Sequence, residues 1–365
     1  DSMSIRLLSY LLYKTIWLFI AAFMLYELFI QLLKTFFGIR GLYYALMGAV
    51  LSGALSLYFL VALFGYGFQN FIAEVALAFA AIIVCCLEIQ STSQQRKQIY
   101  ISLLALFTVA STCVWVLPGA VLGLLTITVT GKEYLSKKSS INYWCWLALV
   151  AGGFLTLSQI YVIKSMSSNG NLSSLNLGGA VPPINILAVF ILIIISILLS
   201  TRVRLKKEVW LAVIIGFGSL EFIILTLYQQ LSLGEQRYYD IKLAYMCTLV
   251  IATVLFALLI RFFVPKTGFI RRAMPVCLLG LLVVLPFLLG IDLRKSAYPL
   301  KDSAPIKPST ASSILSSSNN DPNKVFITDN EGESYLATKL WSAIRPYSSL
   351  QRQTLLKNMD LEIHK

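Results

Sequence analysis

The sequence predicts an all-α polytopic membrane protein of about ten transmembrane helices, followed by a small external C-terminal α/β tail. Of its 365 residues, 58% are hydrophobic and 13% are charged, whereas soluble globular proteins have about 25% charged residues. The mean hydropathy is +0.77, and apolar segments of roughly membrane-spanning length recur along the chain. The positive charges cluster in short loops between these segments. The net charge of +13 therefore reflects membrane orientation, and we expect no nucleic-acid partner.

Most of the ten apolar segments approach the length of about 20 residues that a helix needs to cross a bilayer. They are Leu7–Leu33, Gly41–Phe64, Phe71–Ile89, Ile99–Val116, Gly119–Thr130, Ile141–Ile163, Ile184–Ser200, Val209–Leu231, Leu243–Phe263 and Ala273–Ile291. The fifth is short, and Pro118 is a residue type that readily opens a helix. It is therefore either a bent half-span or a full crossing. The full crossing is preferred because it separates the loop charges cleanly.

Ten crossings assign the loops alternately to two sides of the membrane. One side carries fifteen cationic residues, namely Lys34, Arg40, Arg96, Lys97, Lys132, Lys137, Lys138, Arg202, Arg204, Lys206, Lys207, Arg261, Lys266, Arg271 and Arg272. The other side carries seven, namely Arg6, Lys14, Lys164, Arg237, Lys242, Arg294 and Lys295. The positive-inside rule places the first side in the cytoplasm. We therefore expect a multi-pass protein of the cell membrane with both termini on the external face.

The predicted N-terminus is external, yet the first apolar run is too long for a cleavable signal peptide and lacks a small-residue cleavage site. This combination is natural if an odd number of helices precedes the chain. We therefore expect the sequence to be the later part of a longer protein.

Three regions are predicted along the chain. Residues 1–293 form the transmembrane bundle, 294–323 a flexible external linker rich in Ser, Pro and Asn, and 324–365 a small external segment. In that segment, Val325–Thr328 is typical of a short strand. Tyr335–Ile344 has helical spacing of its apolar residues.

Several classes of chemistry have no support in the sequence. The six cysteines, Cys85, Cys86, Cys113, Cys145, Cys247 and Cys277, all fall within apolar runs, which favours small buried core residues. The single histidine is His364. There is no phosphate-binding Gly-rich loop, nucleophile elbow or metal-ligand spacing. We therefore expect no metal and no cofactor.

The stretch Gly234–Tyr245 is the strongest candidate site, since it places four charges and three tyrosines between two apolar runs. Arg237 and Lys242 suit a lipid phosphate or pyrophosphate. Tyr238 and Tyr239 suit the headgroup depth. Glu235 and Asp240 would hold the cations in place or bind a sugar hydroxyl. The alternative is an interfacial loop anchored by tyrosines that binds no ligand.

Two further features are candidates for a functional role. Gly178, Gly179 and Pro182 lie in an external loop rich in Ser, Asn and Gly, and are candidates for a pocket wall; the alternative is an ordinary connecting loop. Glu221 lies near the middle of its span. Intramembrane acids usually face the bundle interior or a cavity, so Glu221 serves either a structural hydrogen bond or a polar pathway.

These motifs together resemble a known enzyme family. The matching residues are Gly178, Gly179 and Pro182; Trp115 and Pro118; and Tyr238, Tyr239, Lys242 and Tyr245. Over roughly Tyr100 to Leu293, the layout resembles large bacterial GT-C-type membrane glycosyltransferases, including the arabinofuranosyltransferase-like proteins of actinobacterial cell-wall assembly.

The resemblance implies a multi-helix membrane bundle whose sugar donor is a polyprenyl-phosphate-linked sugar and whose acceptor is a cell-envelope glycan. Membrane lipid is the surrounding partner. The family's catalytic base is an acidic residue, usually in the first external loop, and this sequence has no acidic pair after a first span. No catalytic residue is therefore transferred to it.

Two other functions compete with the glycosyltransferase. One is a transporter or flippase of lipid-linked or small polar substrates, with Glu74 and Glu221 lining its pathway. The other is a non-catalytic membrane scaffold whose external tail binds a partner.

Overall fold

The computed structural model of the chain describes residues 2–60, 69–136, 184–202, 208–233, 238–263 and 280–289. Within these ranges all regular elements are helices. They are α1 (Ser2–Leu32, extended by a π-helical turn Leu33–Phe37), α2 (Leu42–Leu55, extended by Ser56–Leu60), α3 (Gln69–Gln90), α4 (Gln94–Val114), α5 (Val116–Ser136), α6 (Ile186–Arg202), α7 (Glu208–Leu233), α8 (Tyr238–Phe263) and α9 (280–288). The described residues from Trp17 onward belong to one compact unit.

Six helices among the described residues are long and apolar enough to cross a membrane, which confirms an all-α membrane protein. They are Thr15–Phe37, Leu42–Leu60, Phe71–Gln90, Gln94–Val114, Val209–Leu231 and Tyr239–Phe262. A shorter apolar helix covers Ile186–Thr201. The predicted sixth span, Ile141–Ile163, lies outside the described residues, as do the linker and the C-terminal segment.

Helices α3 and α8 form the centre of this compact unit. In the apolar stretch of membrane length, 83% of the residues of α3 and 89% of those of α8 are buried. The corresponding share is 22% to 39% in the other four helices of that length. Helix α8 packs against α6 and α7 and also touches α3, whereas α4 and α5 pack against α3 on another side. Apolar side chains cover the outward faces of α4 and α6, including Leu106, Ile194 and Leu198, as lipid contact requires.

The helix at the predicted fifth segment, Gly119–Thr130, is longer than predicted. Helix α5 has 21 residues, about 31 Å at 1.5 Å per residue, close to the thickness of the hydrocarbon core. It runs back along α4 for its whole length: Thr108 and Thr126 share a hydrogen bond of 2.8 Å near the middle, and Lys97 bonds Glu133 at 2.7 Å at the far end. Pro118 lies in the first turn, where proline is tolerated. The full fifth crossing stays a prediction.

The stretch around Lys242 also differs from its predicted structure. The segment from Gly234 to Lys242 was expected to be a loop, but α8 already begins at Tyr238. Tyr238, Tyr239 and Lys242 thus stand on the first turns of a helix. This start places an acidic residue, Asp240, in the first turn, where the helix dipole favours negative charge.

Candidate functional site

A cluster of three aromatic rings and one lysine lies at one end of the bundle. The rings of Phe71 and Trp115 are 6.1 Å apart between centroids, and those of Trp115 and Tyr239 are 6.0 Å apart. The Lys242 Nζ lies 5.4 Å from the centroid of Trp115 and 5.7 Å from that of Tyr239. Both distances are within the range of cation–π attraction. We call Phe71, Trp115, Tyr239 and Lys242 the aromatic–lysine cluster.

The cluster is positioned by helix ends. Trp115 is the single residue between α4 and α5, and its extended backbone (φ −152°, ψ 117°) turns the chain back on itself. Its N–H still donates to the Ser111 carbonyl at 2.8 Å, so the ring is held close to both helices. Tyr239 and Lys242 are three residues apart in α8 and therefore share one face. That face is presented to Trp115.

The chemistry of the cluster suits an anion. Lysine, the tyrosine hydroxyl and the indole N–H are all hydrogen-bond donors, and rings at a helix end are typical of the membrane interface. The fold thus brings Trp115 together with Tyr239 and Lys242, which are more than 100 residues away in the sequence. Arg237, Glu235, Gly178, Gly179 and Pro182, which were predicted to share this site, lie outside the described residues. The structure describes Tyr238 as the first residue of α8.

Tyr245 belongs to the core and not to the cluster. It is fully buried, and its ring packs edge-on against Phe59 at a centroid distance of 5.8 Å. This contact joins α8 to the end of α2. Tyr245 is therefore a packing residue of the bundle.

Asp240 connects α8 to α7 beside the cluster. The Thr226 hydroxyl donates to Asp240 Oδ1 at 2.5 Å, and both side chains are buried. Because Asp240 is one residue from Tyr239 and two from Lys242, this bond fixes the rotation of the first turn of α8. Asp240 thus has a positioning role for the cluster.

We expect Thr226→Val to lower the free energy of unfolding by about 1.5–3 kcal/mol, since a buried carboxyl would lose its hydrogen-bond donor. Thr248→Val is the matched control: Thr248 is also buried, but its hydroxyl has no hydrogen-bond partner among the described residues. Thermal unfolding in detergent measures both. Equal losses in the two variants would contradict a positioning role for Asp240.

Glu221 lies on the wall of a cavity of about 30 Å³ between α3, α5, α7 and α8. Its Oε1 atom is buried and has no hydrogen-bond partner in the described part of the chain. The wall also includes Pro118 and Leu243; Pro118 lies three residues from Trp115 and Leu243 next to Lys242, so the cavity adjoins the aromatic–lysine cluster. Whether Glu221 serves a structural hydrogen bond or a polar pathway stays a prediction.

Glu74 on α3 is the second carboxyl in this part of the bundle. It is fully buried, and the Ser111 hydroxyl donates to its Oε1 atom. Its Oε2 atom has no hydrogen-bond partner among the described residues. Glu74 is one helical turn from Ala78, which lines the same cavity as Glu221.

The opposite end of the bundle holds an ion cluster made by Glu88, Lys97, Lys132 and Glu133. The Lys97 Nζ lies 2.7 Å from Glu133 Oε1 and 3.2 Å from Glu88 Oε1. Lys132 Nζ is 3.8 Å from the same Glu133 oxygen and 4.5 Å from the ring centroid of Trp210. Burial raises the pKa of Glu133, but the hydrogen bond and charge of Lys97 outweigh it and hold that pKa below its ordinary value.

Sequence reasoning missed Glu133. It placed Lys97 in a cytoplasmic loop, nine residues after Glu88. The signal for their pairing was the short turn Ser91–Ser93 between two apolar runs, which places both side chains at the same membrane depth.

Three of the predicted core cysteines, Cys85, Cys86 and Cys247, are buried, whereas Cys113 is exposed on α4. Cys85 packs in an apolar core with Ala81, Leu104 and Leu122. Cys145 and Cys277 lie outside the described residues.

No family model matches the sequence, and neither a curated protein nor a solved structure matches it.

Proposed function

We propose that the chain is part of a membrane glycosyltransferase that transfers a sugar from a polyprenyl-phosphate donor to a cell-envelope glycan on the external face. The observation that carries the proposal is the contact of Lys242 with Trp115 and Tyr239. These residues come from two of the motifs that resemble the GT-C-type enzymes, and they meet at a helix end.

In this proposal the cluster binds the lipid phosphate. The Lys242 ammonium pairs with a phosphate oxygen, and the Tyr239 hydroxyl and the Trp115 indole N–H act as further donors. Arg237 adds a bidentate contact. The polyprenyl chain follows the apolar outer faces of the helices into the membrane.

The proposed reaction is a displacement at the anomeric carbon of the donor sugar. A carboxylate takes the proton of the acceptor hydroxyl as general base; this base is assigned to no described residue. The acceptor oxygen forms the new bond to the anomeric carbon, while the bond from that carbon to the phosphate oxygen breaks. Lys242 and Arg237 stabilise the charge that grows on the leaving phosphate.

Binding of undecaprenyl monophosphate, measured by native mass spectrometry of the detergent-purified chain, tests the proposal. We expect Lys242→Ala to weaken binding about ten-fold, because a charge-assisted contact contributes about 1.5–3 kcal/mol. The uncharged polyprenol should bind wild type and variant equally, which separates the phosphate from the lipid chain.

Lys132→Ala is the matched control for Lys242→Ala. Lys132 also lies over a tryptophan ring, that of Trp210, but at the opposite end of the bundle. The Lys132→Ala variant should bind the lipid phosphate as the wild type does. If the two lysine variants lose equal affinity, or if neither loses any, the proposed donor site is wrong.

A further inference from the structure

Glu221 stands where an ionised carboxylate would be poorly solvated. It lies at the middle of α7, and among the residues that line the cavity beside it, Glu221 alone has a side-chain oxygen. The neighbours are apolar, such as Ile82 and Leu125, or carry sulfur, as do Met246 and Cys247. An unpaired carboxylate in such surroundings is costly, and carboxyl groups in this position commonly become neutral.

The Glu74 carboxyl increases the free-energy cost of ionising Glu221. Its Oε2 atom is buried without a hydrogen-bond partner, and its charge would repel that of Glu221. Within the described residues neither carboxyl forms an ion pair. The cationic side chain on the same face of α8 is Lys242, one turn from Met246, and it contacts Trp115 and Tyr239. Asp240, on another face, is bonded to Thr226.

The lining of the cavity suits a proton better than a metal ion. Hard cations such as Na⁺ and Mg²⁺ require several oxygen ligands, and Glu221 is the single oxygen-bearing side chain in the lining. A proton needs one carboxyl and a route for exchange. The cavity of about 30 Å³ has room for about two water molecules, which would provide that route.

We propose that Glu221 is an exchangeable proton-binding site inside the membrane, with Glu74 as its neighbouring carboxyl and the cavity as the path for exchange. This site is independent of the proposed lipid-phosphate site. Lys242→Ala should therefore leave it unchanged, and Glu221→Gln should leave undecaprenyl monophosphate binding unchanged.

Infrared spectroscopy tests the proton directly. The wild-type chain in detergent should show the carbonyl band of a protonated carboxylic acid, and this band should shift in D₂O because its proton exchanges. Glu221→Gln should lose that component. Glu133→Gln is the control: Glu133 is ion-paired with Lys97, so its replacement should remove no protonated-acid band. An unchanged band in Glu221→Gln would overturn the proposal.

Reaction with dicyclohexylcarbodiimide provides a second test in the wild-type protein. The acid oxygen adds to the central carbodiimide carbon, the acid proton moves to a nitrogen, and the acyl group then migrates to nitrogen. The product keeps the whole reagent, which peptide mass spectrometry detects. We expect label at Glu221 and none at Glu133 or Glu88. Protection of Glu221 by Na⁺, relative to choline, would show a metal cation at this site and would overturn the assignment to a proton.

Discussion

Replacing Lys97 with methionine is expected to lower the free energy of unfolding by about 3 kcal/mol or more, which is the cost of leaving a buried charge without its partner. The Lys97 ammonium is 2.7 Å from Glu133 and 3.2 Å from Glu88. Those two carboxyl side chains are 3% and 0% exposed. Methionine keeps most of the side-chain volume, so the loss measures the charge. Unfolding in detergent by heat or by added SDS reports it.

Two controls separate this role from a general effect of removing a lysine. Lys97→Arg keeps the charge and should recover most of the stability. Lys132→Met removes a cation that is 39% exposed and 3.8 Å from the same Glu133 oxygen, so we expect a loss below about 1 kcal/mol. Similar losses in Lys97→Met and Lys132→Met would show that the buried pairing does not matter.

The ion cluster around Lys97 and Glu133 also makes the stability of the folded protein depend on pH. Lys97 lowers the pKa of Glu133 in the folded protein below its ordinary value of 4.5. A lowered pKa contributes stability that is present above the unfolded-state pKa and is lost as the pH falls through the folded-state pKa. The wild type should lose this part of its stability in that range. Lys97→Met should lose less, because the interaction that lowers the Glu133 pKa is already absent.

Much of the fold could be predicted from the sequence because the bilayer restricts each apolar segment to a helix. The predicted Val209–Leu231 lies inside α7 (Glu208–Leu233), and the predicted Phe71–Ile89 lies inside α3 (Gln69–Gln90). Hydropathy failed where polar residues continue a helix beyond its apolar part. Helix α5 continues through Lys132 and Glu133, and α8 starts five residues before the apolar run at Leu243.

The candidate site could be predicted only in part. Charge and aromatic content drew attention to Tyr239 and Lys242, and the Trp-x-x-Pro pattern to Trp115. Nothing in their spacing shows that these residues touch, because contact depends on how α8 packs across α3 and on the tight reversal at Trp115. The partners of the buried carboxyls were likewise undetermined: Ser111 for Glu74, Thr226 for Asp240 and Lys97 for Glu88 all come from other helices.

The reversal at Trp115 depends on a close approach of two helices at Gly119, which makes Gly119→Ala the second large effect. A Cβ at Gly119 would lie 2.7 Å from both the Thr112 Cα and Oγ1 atoms and 2.8 Å from the Thr112 backbone nitrogen. Two of these atoms are backbone, so α4 and α5 must separate. Overpacking of this kind costs about 1–3 kcal/mol, measurable as a lower unfolding temperature.

Gly131→Ala is the matched control in the same helix. A Cβ at Gly131 would meet no atom within 4 Å, so the substitution should be neutral or raise stability by up to about 1 kcal/mol through the better helix propensity of alanine. If Gly119→Ala is equally tolerated, the packing of α4 on α5 is looser than the structure indicates.

Gly119→Ala also connects helix packing to the proposed donor site. The Gly119 N–H donates to the Trp115 carbonyl at 3.4 Å, so separating α4 from α5 moves the indole ring away from Tyr239 and Lys242. We expect weaker binding of undecaprenyl monophosphate in Gly119→Ala, with Gly131→Ala unchanged. Full binding in a destabilised Gly119→Ala would mean that Lys242 acts without Trp115. A loss that exceeds the loss in Lys242→Ala would mean that the ring contributes more to binding than the charge does.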